Sequence, residues 1–145
     1  MYRANMAYWL RGKALSAQVT ERIHVGSLLA APDFHAVVDV SAEYQLAVMP
    51  SYYATIPMLD MVPADVAALR AAADALHQML PQQNQPVLVC CALGYSRSVA
   101  VVLVYLLRQR HAHDLQAALK LLQQARPDMV VSPINQQQIL KAVHE

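Results

Sequence analysis

Apolar and polar positions along this chain divide it into two kinds of segment. Short apolar, β-branched runs predict strands at residues 22–29, 36–40, 51–56 and 87–91. Apolar residues at helical spacing predict helices at about 65–80, from 95 or 96 to 107, at 114–126 and at about 133–143. Strands alternating with helices predict an α/β fold with a mostly parallel central sheet that is flanked by helices and covered on both faces.

Residues that favour turns and helix ends set the limits of these segments. Gly26 predicts a turn within the first strand segment, and residues 57–63 predict a loop. Asp65 and Asp114 are predicted to cap the helices that follow them. Pro127 is expected to end the helix before it or to follow directly after that end.

Residues 1–20 carry no strong pattern and are expected to be an N-terminal arm or the remnant of a linker. Residues 21–145 are then one folded domain, which suits the length of the chain. No apolar run approaches the roughly 20 residues of a membrane-spanning helix. The first ten residues do not form a convincing secretory signal.

Composition narrows the function classes. The formal net charge of +1 argues against nucleic-acid binding through a basic patch. The two cysteines, Cys90 and Cys91, are adjacent, so they offer no disulfide framework and lack the spacing of zinc ligands. The six histidines form no ligand cluster in the sequence. We therefore expect no metal, and we expect no cofactor because an arginine and backbone amides can carry the charge at the site that follows.

The junction after the fourth predicted strand carries the chemistry. Cys91 ends this strand, and Arg97 stands near the start of the next helix. Unpaired N–H groups and the helix dipole favour an anion at such a helix start, and the same field favours a cysteine thiolate. Gly94 gives the intervening loop backbone freedom, and Arg97 can bind two phosphate oxygens at once. The predicted phosphate-binding residues are Ala92, Leu93, Gly94, Tyr95, Ser96 and Arg97.

The run Val-Cys-Cys-Ala-x-Gly-x-Ser-Arg-Ser at residues 89–98 resembles the cysteine-dependent protein tyrosine phosphatases. It is closest to the dual-specificity branch, whose usual form is His-Cys-x-x-Gly-x-Ser-Arg-Ser. Residues 23–27, 56–60 and 126–127 are also similar to that family. The resemblance implies a dual-specificity phosphatase-like fold at residues 21–145. It also implies hydrolysis of phosphotyrosine, with phosphoserine and phosphothreonine in addition, through a phosphocysteine intermediate.

The resemblance also implies roles for single residues. Cys91 is the nucleophile and Arg97 binds the phosphate oxygens. Asp60 is the general acid on a loop that closes over the phosphate. Ser96 donates a hydrogen bond to the Cys91 sulfur, whereas Ser98 only orders the loop. Cys90 replaces the family's usual histidine and is expected to point into the core; a protective disulfide with Cys91 is an alternative.

Several functional alternatives stay open. The chain could be a non-catalytic phosphate-binding module, or a phosphatase acting on a non-protein substrate such as a phospholipid. A rhodanese-like sulfur carrier also mounts a cysteine on such a loop, but the Ser-Arg-Ser ending and the context of Asp60 speak against it. The expected partner is a phosphorylated protein or a small phosphomonoester; the oligomeric state is left open.

A free thiol suits a reducing compartment. We therefore expect a cytoplasmic protein, or one at the cytoplasmic face of a membrane if the chain is a fragment.

Overall fold

Five strands form one mixed sheet at the centre of the protein. The computed structural model describes the backbone of residues 2–145 and the side chains of residues 5–145. The strands are β1 (Ser16–Gln18), β2 (Ile23–Ser27), β3 (Ala36–Ser41), β4 (Tyr52–Met58) and β5 (Val87–Cys91), in the spatial order β1-β2-β5-β3-β4. All neighbours pair in parallel except the edge strand β1. The predicted α/β class with a mostly parallel sheet is confirmed.

The helices cover the two faces of the sheet unequally. They are α1 (Tyr2–Trp9), α2 (Val66–Met79), α3 (Arg97–Arg108), α4 (Leu115–Ala125) and α5 (Pro133–His144). Helices α2 to α5 share the larger core on one face, with α3 at its centre. The other face is covered by α1 and by a 3₁₀ segment at Leu28–Asp33. Within the described part of the chain, no helix combines the length and apolar character needed to cross a bilayer.

Both predicted helix caps are confirmed. The Asp65 carboxylate accepts a hydrogen bond from the Ala68 N–H at 2.9 Å, at the start of α2. The Asp114 carboxylate accepts from the Ala117 N–H at 2.8 Å, at the start of α4. Each cap satisfies one of the N–H groups that a helix start leaves unpaired.

Two predicted boundaries are wrong. Gly26 lies inside β2, and no turn forms there. This position requires glycine because β1 runs so close to it that a Cβ would clash with Leu15 and Ser16. The predicted loop at 57–63 begins later, since β4 continues through Pro57 to Met58. Proline is tolerated there because β4 is an edge strand.

The segment expected to be an arm, residues 1–20, contains ordered elements. Ser16–Gln18 pairs antiparallel with residues 24–26 of β2. The side chains of Met6 and Leu10 are buried. The sequence pattern missed these elements because a three-residue strand and one short, weakly amphipathic helix leave little periodicity.

Candidate active site

The junction between β5 and α3 holds Cys91 at the start of a helix. We call residues 92–96, which connect the two elements, the phosphate loop. The Cys91 side chain is nearly buried and belongs to the core on the helical face of the sheet. The N–H groups in the first turn of α3 have no carbonyl partner within the helix. They make this end of the helix favourable for an anion.

Ser98, and not Ser96, contacts the sulfur. The Ser98 hydroxyl lies 3.2 Å from Cys91 Sγ, and the Ser98 N–H donates to the same sulfur at 3.5 Å. Ser96 was expected to make the contact; it occupies the N-cap position, where its side chain makes no capping hydrogen bond, and it lines the adjacent cavity. Helical side chains lean towards the helix N-terminus, which brings a first-turn residue such as Ser98 back over the sulfur.

Gly94 lets the phosphate loop lie directly on β2. Its φ of +82° falls in the left-handed region, and an added Cβ would clash with the backbone of Gly26. Both glycines therefore allow two backbone segments to lie close together: Gly26 allows β1 to approach β2, and Gly94 allows the phosphate loop to approach β2.

Arg126 holds the phosphate loop from behind, and sequence reasoning did not assign it to the site. This buried side chain donates to Leu93 O at 2.9 Å, Gly94 O at 3.1 Å and Ala14 O at 2.5 Å. Its guanidinium carbon also lies 4.4 Å from the ring centroid of Tyr95. One arginine thus ties the loop to the N-terminal segment, far away in sequence.

Arg97 is buried, and hydrogen bonds to other residues of the protein orient its side chain. Its Nη1 and Nη2 bind the two carboxylate oxygens of Glu43 at 2.6 and 3.1 Å, and Nη1 also donates to Met58 O at 2.9 Å. The Nε edge of the guanidinium faces Asp60, whose Oδ1 is 3.7 Å away. Because Glu43 binds one edge of the planar group, the other edge is turned towards the cavity at Cys91.

The Glu43–Arg97 pair affects the titration of both partners. Burial lowers the pKa of Arg97, but the hydrogen bonds with Glu43 and the nearby Cys91 sulfur outweigh it and leave that pKa raised. Burial raises the pKa of Glu43, but hydrogen bonds from Arg97 and from backbone N–H groups leave that pKa lowered. Both groups are therefore charged near neutral pH. Glu43 was missed in the sequence, where its only signal is its place after a buried strand, at the sheet edge that carries the site.

Asp60 lies on the acid loop, as we call residues 59–64 between β4 and α2. Its Oδ1 accepts a hydrogen bond from the Met61 N–H at 3.0 Å, and about half of its side chain is exposed. A cavity of about 80 Å³ is lined by Asp60, Cys91, the phosphate loop and Arg97. The structure thus brings the four predicted catalytic residues, Cys91, Arg97, Asp60 and Ser96, around one space together with Ala92, Leu93, Gly94 and Tyr95.

Cys90 lies on the opposite face of the sheet, as expected from the two-residue period of a strand. It is fully buried in the smaller core, where burial and the neighbouring Asp39 carboxylate raise its pKa well above the ordinary value. Asp39 itself is buried and accepts from the Ser41 N–H at 2.9 Å and from the Tyr53 hydroxyl at 3.3 Å. Both cysteines are free thiols, and their opposite directions oppose a disulfide between them.

Metal-binding clusters are absent from the side chains at residues 5–145: no three His, Cys, Asp or Glu residues there come together as a possible ligand set.

Solved structures of cysteine-based phosphatases share the fold of this chain. Human DUSP28 is 25% identical, with a TM-score of 0.77 over 89% of this chain and 93% of its own. A mouse putative dual specificity phosphatase complexed with zinc tungstate is 24% identical, with a TM-score of 0.76 over 91% and 88%. Tk-PTP in the active form is 22% identical, with a TM-score of 0.72 over 89% and 95%.

Residues 18–144 match the dual specificity phosphatase catalytic domain, so the chain belongs to that family. Family membership supports phosphatase activity for this chain and confirms the resemblance seen in the Cys-x5-Arg motif.

Proposed function

We propose that this protein hydrolyses phosphate monoesters through a covalent phosphocysteine at Cys91. The observation that carries the proposal is the small cavity in which Cys91, Arg97 and Asp60 meet at a helix start. A nucleophile, an oxyanion-binding group and a proton donor are the three functions that phosphate ester cleavage needs.

In the first step, the Cys91 thiolate attacks phosphorus and the bond from phosphorus to the ester oxygen breaks. Asp60 gives its proton to the departing oxygen, which leaves as an alcohol or phenol. Arg97 and the first-turn N–H groups of α3 stabilise the charge on the three equatorial oxygens.

In the second step, water attacks the phosphorus of the phosphocysteine and gives a proton to the Asp60 carboxylate. The bond from phosphorus to sulfur breaks, inorganic phosphate forms, and the sulfur leaves as a thiolate. The Ser98 hydroxyl, 3.2 Å from Cys91 Sγ, is placed to donate a hydrogen bond to that thiolate. Ser98 is therefore the proposed donor to the leaving sulfur, a role that the family resemblance implied for Ser96.

The proposed substrates are phosphotyrosine-containing proteins and small phosphomonoesters, with phosphoserine and phosphothreonine in addition. A cavity of about 80 Å³ whose lining contains one arginine suits one dianionic group.

The decisive experiment compares Cys91→Ser with Cys90→Ser on phenyl phosphate, without added metal. The two variants make the same chemical change in adjacent residues on opposite faces of β5. We expect Cys91→Ser to lose at least about 10⁴-fold in kcat, since the nucleophile is removed. Cys90→Ser should stay within about tenfold of the parent, and vanadate should inhibit both the parent and Cys90→Ser.

A phosphocysteine trapped by rapid acid quench, and absent from Cys91→Ser, would support the intermediate directly. Equal loss in both variants would contradict the assignment of Cys91. Tight phosphate binding with no turnover in the parent would instead assign a phosphate-binding module.

A further inference from the structure

The small cavity at Cys91 opens into a larger one. The larger cavity has a volume of about 350 Å³, against about 80 Å³ for the small one, and it shares Asp60, Ser96 and Arg97 with it. Its walls come from the acid loop, from the segment between α4 and α5 and from the first turn of α5. A phosphate in the small cavity would therefore bring the organic group of its ester to the boundary that the two cavities share.

Exposed large apolar side chains cluster at the walls of the larger cavity. Five of the twelve large apolar side chains that are exposed among residues 5–145 line it. The exposed fractions are 97% for Met61, 70% for Leu59, 61% for Val130, 49% for Val62 and 47% for Ile134. Exposed apolar residues that cluster at one place, and do not scatter, mark a binding surface.

The charges around the site leave no cation for a second phosphate. Arg97 is the only cationic side chain that lines either cavity in the described part of the chain, and Glu43 already pairs with it. Nearby, Lys13 pairs with Asp128 at 3.0 Å, and Arg126 binds backbone carbonyls. A second negative group beside the bound phosphate would thus lie near Asp60, with no cationic side chain other than Arg97 among the residues that line the cavity.

We propose that the larger cavity is a subsite for an apolar organic group esterified to the phosphate at Cys91. The substrate class is then phosphate monoesters of apolar alcohols or phenols that carry no second negative charge close to the phosphorus. This inference rests on the proposed phosphatase function and adds the specificity of its leaving group.

Three esters of similar leaving-group chemistry test the subsite. They are phenyl phosphate, 4-butylphenyl phosphate and 3-(4-phosphonooxyphenyl)propanoate, whose tail has nearly the size of the butyl group but ends in a carboxylate. We expect kcat/KM for the butyl ester to exceed that for phenyl phosphate by about tenfold, as expected for partial burial of its methylenes. The propanoate should fall below phenyl phosphate.

Two exposed wall residues outside the catalytic set give matched variants. Val130→Asp and Ile134→Asp should remove most of the preference for the butyl ester, measured as the ratio of its kcat/KM to that for phenyl phosphate. The controls are Val48→Asp and Leu140→Asp, which change exposed apolar residues outside this cavity and should keep the preference.

Equal kcat/KM for the three esters, or an unchanged preference in both wall variants, would overturn the subsite. Loss of binding to phosphatidylcholine vesicles in Val130→Asp, with no ester preference in the parent, would overturn it and assign the patch to a membrane surface. If the parent hydrolyses none of the esters, the proposed function fails. The subsite is then tested by calorimetric Kd values of butylphosphonate and 2-carboxyethylphosphonate, where equal affinities overturn it.

Discussion

The phosphate loop and the acid loop face the same cavity, but the protein holds them in different ways. The phosphate loop follows the central strand β5, lies on Gly26 and has two carbonyls bound by Arg126. The acid loop follows the edge strand β4 and exposes Leu59 and Met61. Its end is held by a hydrogen bond of 2.9 Å from the Ala64 N–H to Asn135.

This difference indicates how the two halves of the chemistry depend on the fold. Cys91, the proposed nucleophile, and Arg97, the proposed anion-binding residue, are buried, so a change there should alter stability and activity together. The acid loop has few buried contacts, and such regions open locally at low free-energy cost. Changes in the acid loop should therefore alter activity with little effect on stability.

Arg97→Lys should have the largest effect on the phosphate-loop side of this comparison. Lysine keeps the charge but loses the planar fork that binds Glu43 and the phosphate together. We expect kcat/KM for phenyl phosphate to fall by about 10³-fold. Arg70→Lys, which changes an arginine bound to the backbone of α5, is the control and should stay near the parent. A loss below about threefold at Arg97 would contradict bidentate binding.

Gly94→Ala tests the tight hold on the phosphate loop through the stability of the protein. The new methyl group must adopt a positive φ and would also clash with Gly26, so we expect a loss of about 3 kcal/mol or more in the free energy of unfolding. Gly12→Ala is the matched control, because Gly12 has φ +75° but open space around it, and should lose about 1 kcal/mol. Urea unfolding measures both, and equal losses would show that the contact with β2 is unimportant.

Asp60→Asn tests the acid-loop side. We expect kcat to fall by about 10²-fold for an alkyl phosphate, whose leaving oxygen needs a proton, and much less for 4-nitrophenyl phosphate. The unfolding free energy should stay within about 0.5 kcal/mol, because this side chain is half exposed. Asp65→Asn makes the same change at a helix cap, where asparagine also caps well, and should alter neither quantity. Equal effects of Asp60→Asn on both esters would show that Asp60 is not the general acid.

Glu43→Gln should have the smallest effect, about fivefold in kcat/KM at neutral pH. Because folding lowers the pKa of Glu43, its pairing with Arg97 is complete above the unfolded pKa and is lost as pH falls through the lowered, folded pKa. The ratio of parent to variant kcat/KM should therefore shrink towards one in acid. A ratio that stays constant over that range would contradict a role for the charged pair.

Local sequence pattern determined the parts of this protein that depend on neighbouring residues. The two-residue period of β5 separates Cys90 from Cys91, and the capping aspartates mark where α2 and α4 begin. The Cys-x5-Arg spacing across a strand and a helix likewise places Cys91 and Arg97 around one cavity. Each of these follows from backbone geometry over a few residues.

Tertiary structure alone decided which distant groups complete the site. Glu43 contacts Arg97, which is 54 positions away in the sequence, and Arg126 contacts Ala14, which is 112 positions away. The contact of Ser98 with Cys91 depends on the angle at which α3 leaves the phosphate loop, and the edge strand β1 depends on a glycine in β2. Contacts of this kind arise when the chain packs, because they join segments whose own sequences carry no periodic signal of the partner.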